Sequence, residues 1–102
     1  MDLVGFVLAR IAEDAHAAAD LVQAQGADGT AERLRADCAA KRKVVLACQA
    51  AAPDLRFLGA RPPGLADFPL PPKDAHQLAA LTLALLATPY ADHPDYDQRW
   101  RP

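Results

Sequence analysis

LVGFVLARIAEDAHAAADLVQAQGADGTAERLRADCAAKRKVVLACQAAAP, residues 3–53, decides the fold. Its apolar residues fall at Val4, Leu8, Ile11, Ala15, Ala18 and Val22, steps of four, three, four, three and four that draw one stripe along an amphipathic helix over residues 3–25. Asp2 is placed to cap it, and Gly26 and Gly29 supply the stop and the turn. After Asp28 or Thr30 as a second cap, Leu34, Cys38, Lys41, Val45, Cys48 and Ala52 repeat the same steps over residues 31–52, and Pro53 ends the run. In a hairpin turning at Asp28, facing residue numbers sum to about 56. Val22/Leu34, Ala18/Cys38, Ala15/Lys41, Ile11/Val45, Leu8/Cys48 and Val4/Ala52 all satisfy that sum. Two stripes read independently therefore mesh as an antiparallel αα-hairpin.

Outward from the hairpin, residues 53–73 form a crossover. Six prolines between Pro53 and Pro72 exclude a continuous helix or a central strand. Leu55, Phe57, Leu58, Phe68 and Leu70 are more apolar than a solvated linker needs, so the segment is expected to lie across the hairpin with both phenylalanines anchored. The Pro69–Pro72 spacing matches PxxP recognition motifs, a pattern that proline-rich loops also produce by chance. Asp74 then caps a third helix over residues 75–88, apolar on most sides through Leu78, Leu81, Leu83, Leu85 and Leu86, and expected to be covered on nearly all faces. Pro89 stops it, and His93-Pro94 reads as cap and first residue of a last short helix in the tail 89–102, on which His93, Tyr96 and Trp100 share a face. The sequence thus predicts one all-α domain: a hairpin, a proline-rich crossover, a third apolar helix and a short tail helix.

Bulk properties narrow the function classes. At 102 residues there is room for one core, and with only 6% aromatic residues it must be built from Ala, Leu and Val. A net charge of −2 argues against sequence-independent nucleic-acid binding. No signal peptide is expected from MDLVGFVLAR, and the longest apolar run, Leu78 to Ala87, is half of the ~20 residues that span a bilayer. A cytoplasmic protein without membrane contact is expected. Cys38 and Cys48 stand ten residues apart on one helix, roughly 15 Å, too far for a disulfide, and read as reduced, buried small hydrophobes.

Four patterns could carry chemistry. Lys41 sits in an apolar stripe, and an interhelix pair with Asp14 would relieve its burial, Glu13 and Arg42 lying further out. Glu13 and His16 have the Glu-x-x-His step of carboxylate-bridged metal sites, but the second copy and the extra glutamates such sites need are missing. The basic residues Arg33, Arg35, Lys41, Arg42 and Lys43 spread around the second helix, with only Arg35 and Arg42 aligned. The tail PYADHPDYDQRW, residues 89–100, offers Asp92, His93, Asp95 and Asp97, yet no zinc or calcium spacing, and the chain contains no serine to act as nucleophile. Read structurally, the aspartates cap and turn the chain while Tyr90, Tyr96 and Trp100 clasp the third helix. Read functionally, Tyr90, Asp92, His93, Pro94, Tyr96, Arg99 and Trp100 form an interface. No catalytic residue, metal or cofactor is expected.

LARIAEDAHAA, the basic AAKRKVV stretch and, most specifically, LALLATPYADHPDYDQRWRP resemble a small actinobacterial family of unknown function that also occurs on phages. The resemblance implies that Tyr90, Asp92, His93, Pro94, Tyr96 and Trp100 act as one unit in a bacterial cytosolic protein associated with mobile elements. That family has no established activity, so it assigns no catalytic residues. The leading expectation is a non-enzymatic interaction or adaptor protein with an unknown protein partner. Phe6, opposite the stripe of the first helix, motivates a homodimer through the rest of the hairpin. The alternatives are a nucleic-acid-associated accessory factor using Arg35 and Arg42 and, third, a metal-binding or enzymatic protein.

Overall fold

Asp2 does cap the first helix: its Oδ1 accepts the Gly5 N–H at 2.7 Å, and its carbonyl accepts from Phe6 N–H. In a computed structural model that describes residues 1–25, 29–59 and 71–102, this helix, α1, runs Leu3–Gln25. The second, α2, spans Gly29–Ala50 and packs against α1 as an antiparallel hairpin. Gly26, Asp28, Phe68, Leu70 and the Pro69–Pro72 spacing lie outside the described residues.

The two stripes meet as the periodicity requires. Ile11, Ala18, Cys38, Val45 and Cys48 are buried, while Val4, Leu8, Ala15 and Val22 are half-buried. Two positions depart from expectation. Among the described residues, Leu34 is 42% exposed, at the end of the hairpin away from the third helix. Ala52 falls beyond the helix, in left-handed conformation (φ 55°), where the chain turns out towards Pro53. The thiols of Cys38 and Cys48 are free and buried, and burial raises the pKa of both.

A short 3-10 helix, Leu55–Gly59, follows and plants Leu58 in the core, with Phe57 packed at its edge. Helix α3, Ala75–Ala87, then crosses the hairpin. Asp74 caps it by accepting the Gln77 N–H at 2.8 Å. His76 ties the two ends of the crossover together. Its Nδ1 lies 2.8 Å from the Ala51 carbonyl and 3.0 Å from that of Ala52, and its own carbonyl accepts from Asp54 N–H. The α3 face turned to the hairpin is the small one, Ala79, Ala80, Leu83, Ala84 and Ala87, which lets the helices approach closely. The opposite face is not covered as expected: Leu78 is 54% and Leu85 51% exposed.

The tail returns over α1. Pro89 and Pro94 break it into a 3-10 turn, Thr88–Tyr90, a run of turns, and a second 3-10 turn, Gln98–Trp100. The second of these turns is capped by Asp97, where the sequence suggested a helix starting at His93. The molecule measures 48 × 26 × 24 Å, its long axis set by the hairpin. No helix among the described residues is long and apolar enough to cross a membrane.

Candidate functional site

Phe6 is the pivot of the tail. The sequence placed it outside the hairpin stripe, and it is indeed outside that stripe, but it is fully buried rather than available to a partner. Four rings surround it, with centroids 5.2 Å (Trp100), 5.6 Å (His93), 5.9 Å (Tyr96) and 6.4 Å (Tyr90) away. Tyr96 and Trp100 meet edge to face at 5.6 Å, and each retains only 8% exposure. Edge-to-face pairs of this kind add roughly 0.5–1.5 kcal/mol each beyond the burial of their area. The motive for a homodimer through Phe6 therefore falls away: its solvent has been replaced by the chain's own C-terminus.

One turn along α1 from Phe6, Arg10 is the one buried charged residue among those described. Its guanidinium sits over the Phe6 ring, Cζ 5.1 Å from the centroid. Nη2 donates to Glu13 Oε1 at 3.0 Å, and Nη1 faces the edge of the His93 ring, 3.0 Å from Nδ1 and in contact with Nε2. Asp95 N–H also donates to His93 Nδ1 at 3.0 Å, which fixes the ring in the turn. Arg10 Nε is buried without an acceptor, a loss of about 1–3 kcal/mol that the ring contact and the Glu13 bond must offset. A further turn along, Asp14 Oδ2 accepts the Tyr90 hydroxyl at 2.5 Å. Burial and this carboxylate push the Tyr90 pKa far up. Phe6, Arg10 and Asp14, spaced i, i+4 and i+8, form a second stripe on α1 that receives the tail.

This geometry redirects the expected Asp14–Lys41 pair. With Asp14 engaged by Tyr90, Lys41 turns back along its own helix to Asp37, Nζ to Oδ2 2.9 Å, and the hydrogen bond raises its pKa. Lys41 needs no partner across the hairpin, because 41% of its side chain reaches solvent. Glu13 and His16 also part company, Glu13 to Arg10 and His16 to Asp20 at 3.9 Å. Among the described residues no three of His, Cys, Asp and Glu gather as a metal site.

Of the tail residues singled out by sequence, Tyr90, His93, Tyr96 and Trp100 come together around Phe6. Asp92 and Pro94 are exposed on the turns between them. Arg99 is exposed and folds onto Asp97, Nη2 to Oδ2 2.6 Å, a contact that holds the Asp97 carboxyl below its ordinary range. The residue that sequence reasoning passed over is Arg10. Its spacing of four from Phe6 and three from Glu13 was the available signal.

Comparison with known protein families matches residues 1–102 to the Family of unknown function (DUF6221). The chain belongs to this family. No curated protein and no solved structure matches it. For this DUF6221 member the tail is a clamp on its own first helix.

The flank of the hairpin opposite α3 and the tail carries a groove of about 260 Å³. Leu8, Ile11 and Cys38 form its floor, Ala12, Ala15, Ala19 and Ala39 its walls, and Arg35 and Arg42 one rim. Both arginines are exposed, and neither makes an ion pair with a described residue. On the tail's side, the groove between α1 and α2 continues past Asp14 and Lys41 to Leu21 and Leu34, 38% and 42% exposed.

Proposed function

We propose that this DUF6221 protein is a non-enzymatic protein-interaction module that works through the open flank of its hairpin. The observation that carries the reading is the Arg35/Arg42 groove: apolar at the floor, cationic at the rim and covered by nothing among the described residues. Apolar floors with arginine at the margin are the composition from which interface energy comes. The tail supports the reading from the other side, since its histidine and tyrosines are spent on packing, and burial holds the two thiols in their less reactive form. A cytoplasmic location and an association with mobile elements accompany this proposal on the resemblance of the tail alone.

Affinity capture from the source cells tests it, comparing wild type with an Ala39→Glu, Arg42→Ala variant. A co-eluting protein that is lost from the variant, with thermal stability unchanged, is the expected result. An identical set of co-eluting proteins contradicts the reading.

Arg35 and Arg42 also favour a second reading, an accessory factor that touches nucleic-acid phosphates, because both are free and lie two turns apart on one side of α2. It requires salt-sensitive retention on DNA or RNA, weakened by Arg35→Ala and Arg42→Ala together. Absence of retention at low salt rules it out.

A further inference from the structure

The groove on the open flank is charged on one side only. Arg35 and Arg42 stand on its α2 side, Ala12 and Ala19 on its α1 side, and no acidic residue lines it. Both arginines are exposed and unpaired with any described residue. Seven residues separate them, almost two full turns and about 10.5 Å of rise, so they share one side of α2. Between the two sides the floor of Leu8, Ile11 and Cys38 is apolar. From Leu8 to Ala19 the groove follows α1 for about 16 Å, or three turns.

This chemistry discriminates among the ways a protein receives a partner. An extended peptide satisfies its backbone by pairing with a sheet edge, and the described residues contain no strand. Against Leu8, Ile11 and Cys38 its N–H and C=O groups would be buried unpaired. A polyproline segment docks between aromatic side chains, and none lines this groove. A nucleic-acid duplex can meet both guanidiniums through its phosphates, but its backbone offers nothing apolar to cover the floor. An amphipathic helix meets each condition. Its backbone is paired internally, and an apolar stripe at three- and four-residue steps covers the floor. The small side chains of Ala12, Ala15 and Ala39 let it settle between α1 and α2. Carboxylates seven residues apart beside that stripe repeat the spacing of Arg35 and Arg42 and pair with both. Leu46, 42% exposed and one turn beyond Arg42, extends the apolar contact.

We propose that the open flank receives an acidic amphipathic helix of a partner protein. The helix lies along the groove with its apolar stripe on Leu8, Ile11 and Cys38 and two carboxylates, seven residues apart, on Arg35 and Arg42. This rests on the interaction-module reading above and names the chemistry of its partner.

Fluorescence anisotropy with the purified full chain and two dye-labelled synthetic helices tests the proposal. Both peptides carry leucines at three- and four-residue steps over about 18 residues, or five turns. Beside that stripe one carries glutamates seven residues apart, and the other carries lysines. The glutamate peptide should bind saturably and weaken as salt is added, with the lysine peptide about tenfold weaker or more. Arg35→Glu with Arg42→Glu should reverse that preference, and Ala39→Glu should weaken the glutamate peptide about tenfold. Arg33→Glu with Lys43→Glu makes the same charge change at exposed positions off the groove and should leave affinity within about threefold of wild type. Circular dichroism checks that the helices persist; if the double reversal loses helix, Ala39→Glu carries the test. The proposal is overturned if the glutamate peptide does not bind, if both peptides bind equally, or if the preference follows Arg33 and Lys43. Duplex DNA that displaces the peptide at matched charge concentration also overturns it, in favour of phosphate contact. The wider reading is decided separately: a captured protein lost from the Ala39→Glu, Arg42→Ala variant, without peptide binding, would leave an interaction module whose partner has a different chemistry.

Discussion

The two halves of the hairpin are made from the same helices and yet are built differently. In the half near the N-terminus, Leu3, Phe6, Val7, Arg10 and Ile11 of α1 are all buried, because α3 and the tail form a third layer that ends where Tyr90 meets Asp14. Beyond Asp14, Ala18 is the one buried residue of α1 among those described. Large buried side chains collect where three layers meet, and alanines dominate α1 beyond Asp14. Stability should therefore reside in the first half.

The largest test of that contrast is removal of a ring at its pivot. Phe6→Ala or Trp100→Ala should lower unfolding free energy by about 3–5 kcal/mol, the range for an aromatic side chain lost from a core, read from urea denaturation. If either costs no more than a surface substitution, the tail is not a layer of the fold.

Arg10 comes next. Arg10→Ala removes the contact over Phe6 and the bonds to Glu13 and His93, and should cost about 2 kcal/mol. Arg10→Met retains the packing and deletes the orphaned Nε, so it should cost less than about 1 kcal/mol. Equal losses for the two variants would mean that the charge itself, rather than the shape, holds the clamp.

Sequence and structure agree where one helix has one neighbour. Steps of three and four found the hairpin because α1 and α2 face each other along their whole length, and Asp2 and Asp74 were legible as caps because side-chain capping is local chemistry. The second stripe, Phe6, Arg10 and Asp14, was not legible. A helix with two neighbours has two overlapping stripes, and a single-period reading assigns Phe6 to solvent. Asp14 was equally open to Lys41 or Tyr90, and nothing local favours a partner 76 residues away over one across the hairpin. The sequence named His93 as the tail's cap and the third helix as the surface its rings clasp, whereas Asp97 supplies the side-chain cap and the rings gather around Phe6 of α1. Their direction depended on a surface contributed by Phe6 that the tail's own sequence does not encode. The open groove went unnoticed because alanine is equally at home buried and exposed.

A smaller effect separates the edge of the third layer from its centre. Tyr90→Phe should cost about 1 kcal/mol at neutral pH through loss of the Asp14 bond. Burial first, and that bond second, keep the Tyr90 hydroxyl protonated in the fold well above its ordinary pKa of 10.0. The associated stability is therefore complete below pH 10 and is lost as pH rises beyond it, when the unfolded chain ionises first. Tyr96 acts in the same direction through its burial. Denaturation between pH 9 and pH 11 should show wild type losing stability faster than Tyr90→Phe. Parallel curves would remove Tyr90 from the account.

The smallest effect belongs to the far half. Leu34→Ala should cost only about 0.5 kcal/mol, because the side chain is already 42% in water. A cost as large as that of Trp100→Ala would show that the two halves are equally consolidated.

The central claim, that the tail faces inward, can be tested without any substitution, because Trp100 is the chain's single tryptophan. At 8% exposure, packed on Phe6 and Tyr96, it should emit at short wavelength in the native protein and resist quenching by acrylamide. Both properties should revert to those of free tryptophan in the same transition that melts the helices. A red-shifted, freely quenched Trp100 in the folded protein would contradict the clamp and return the tail to the surface.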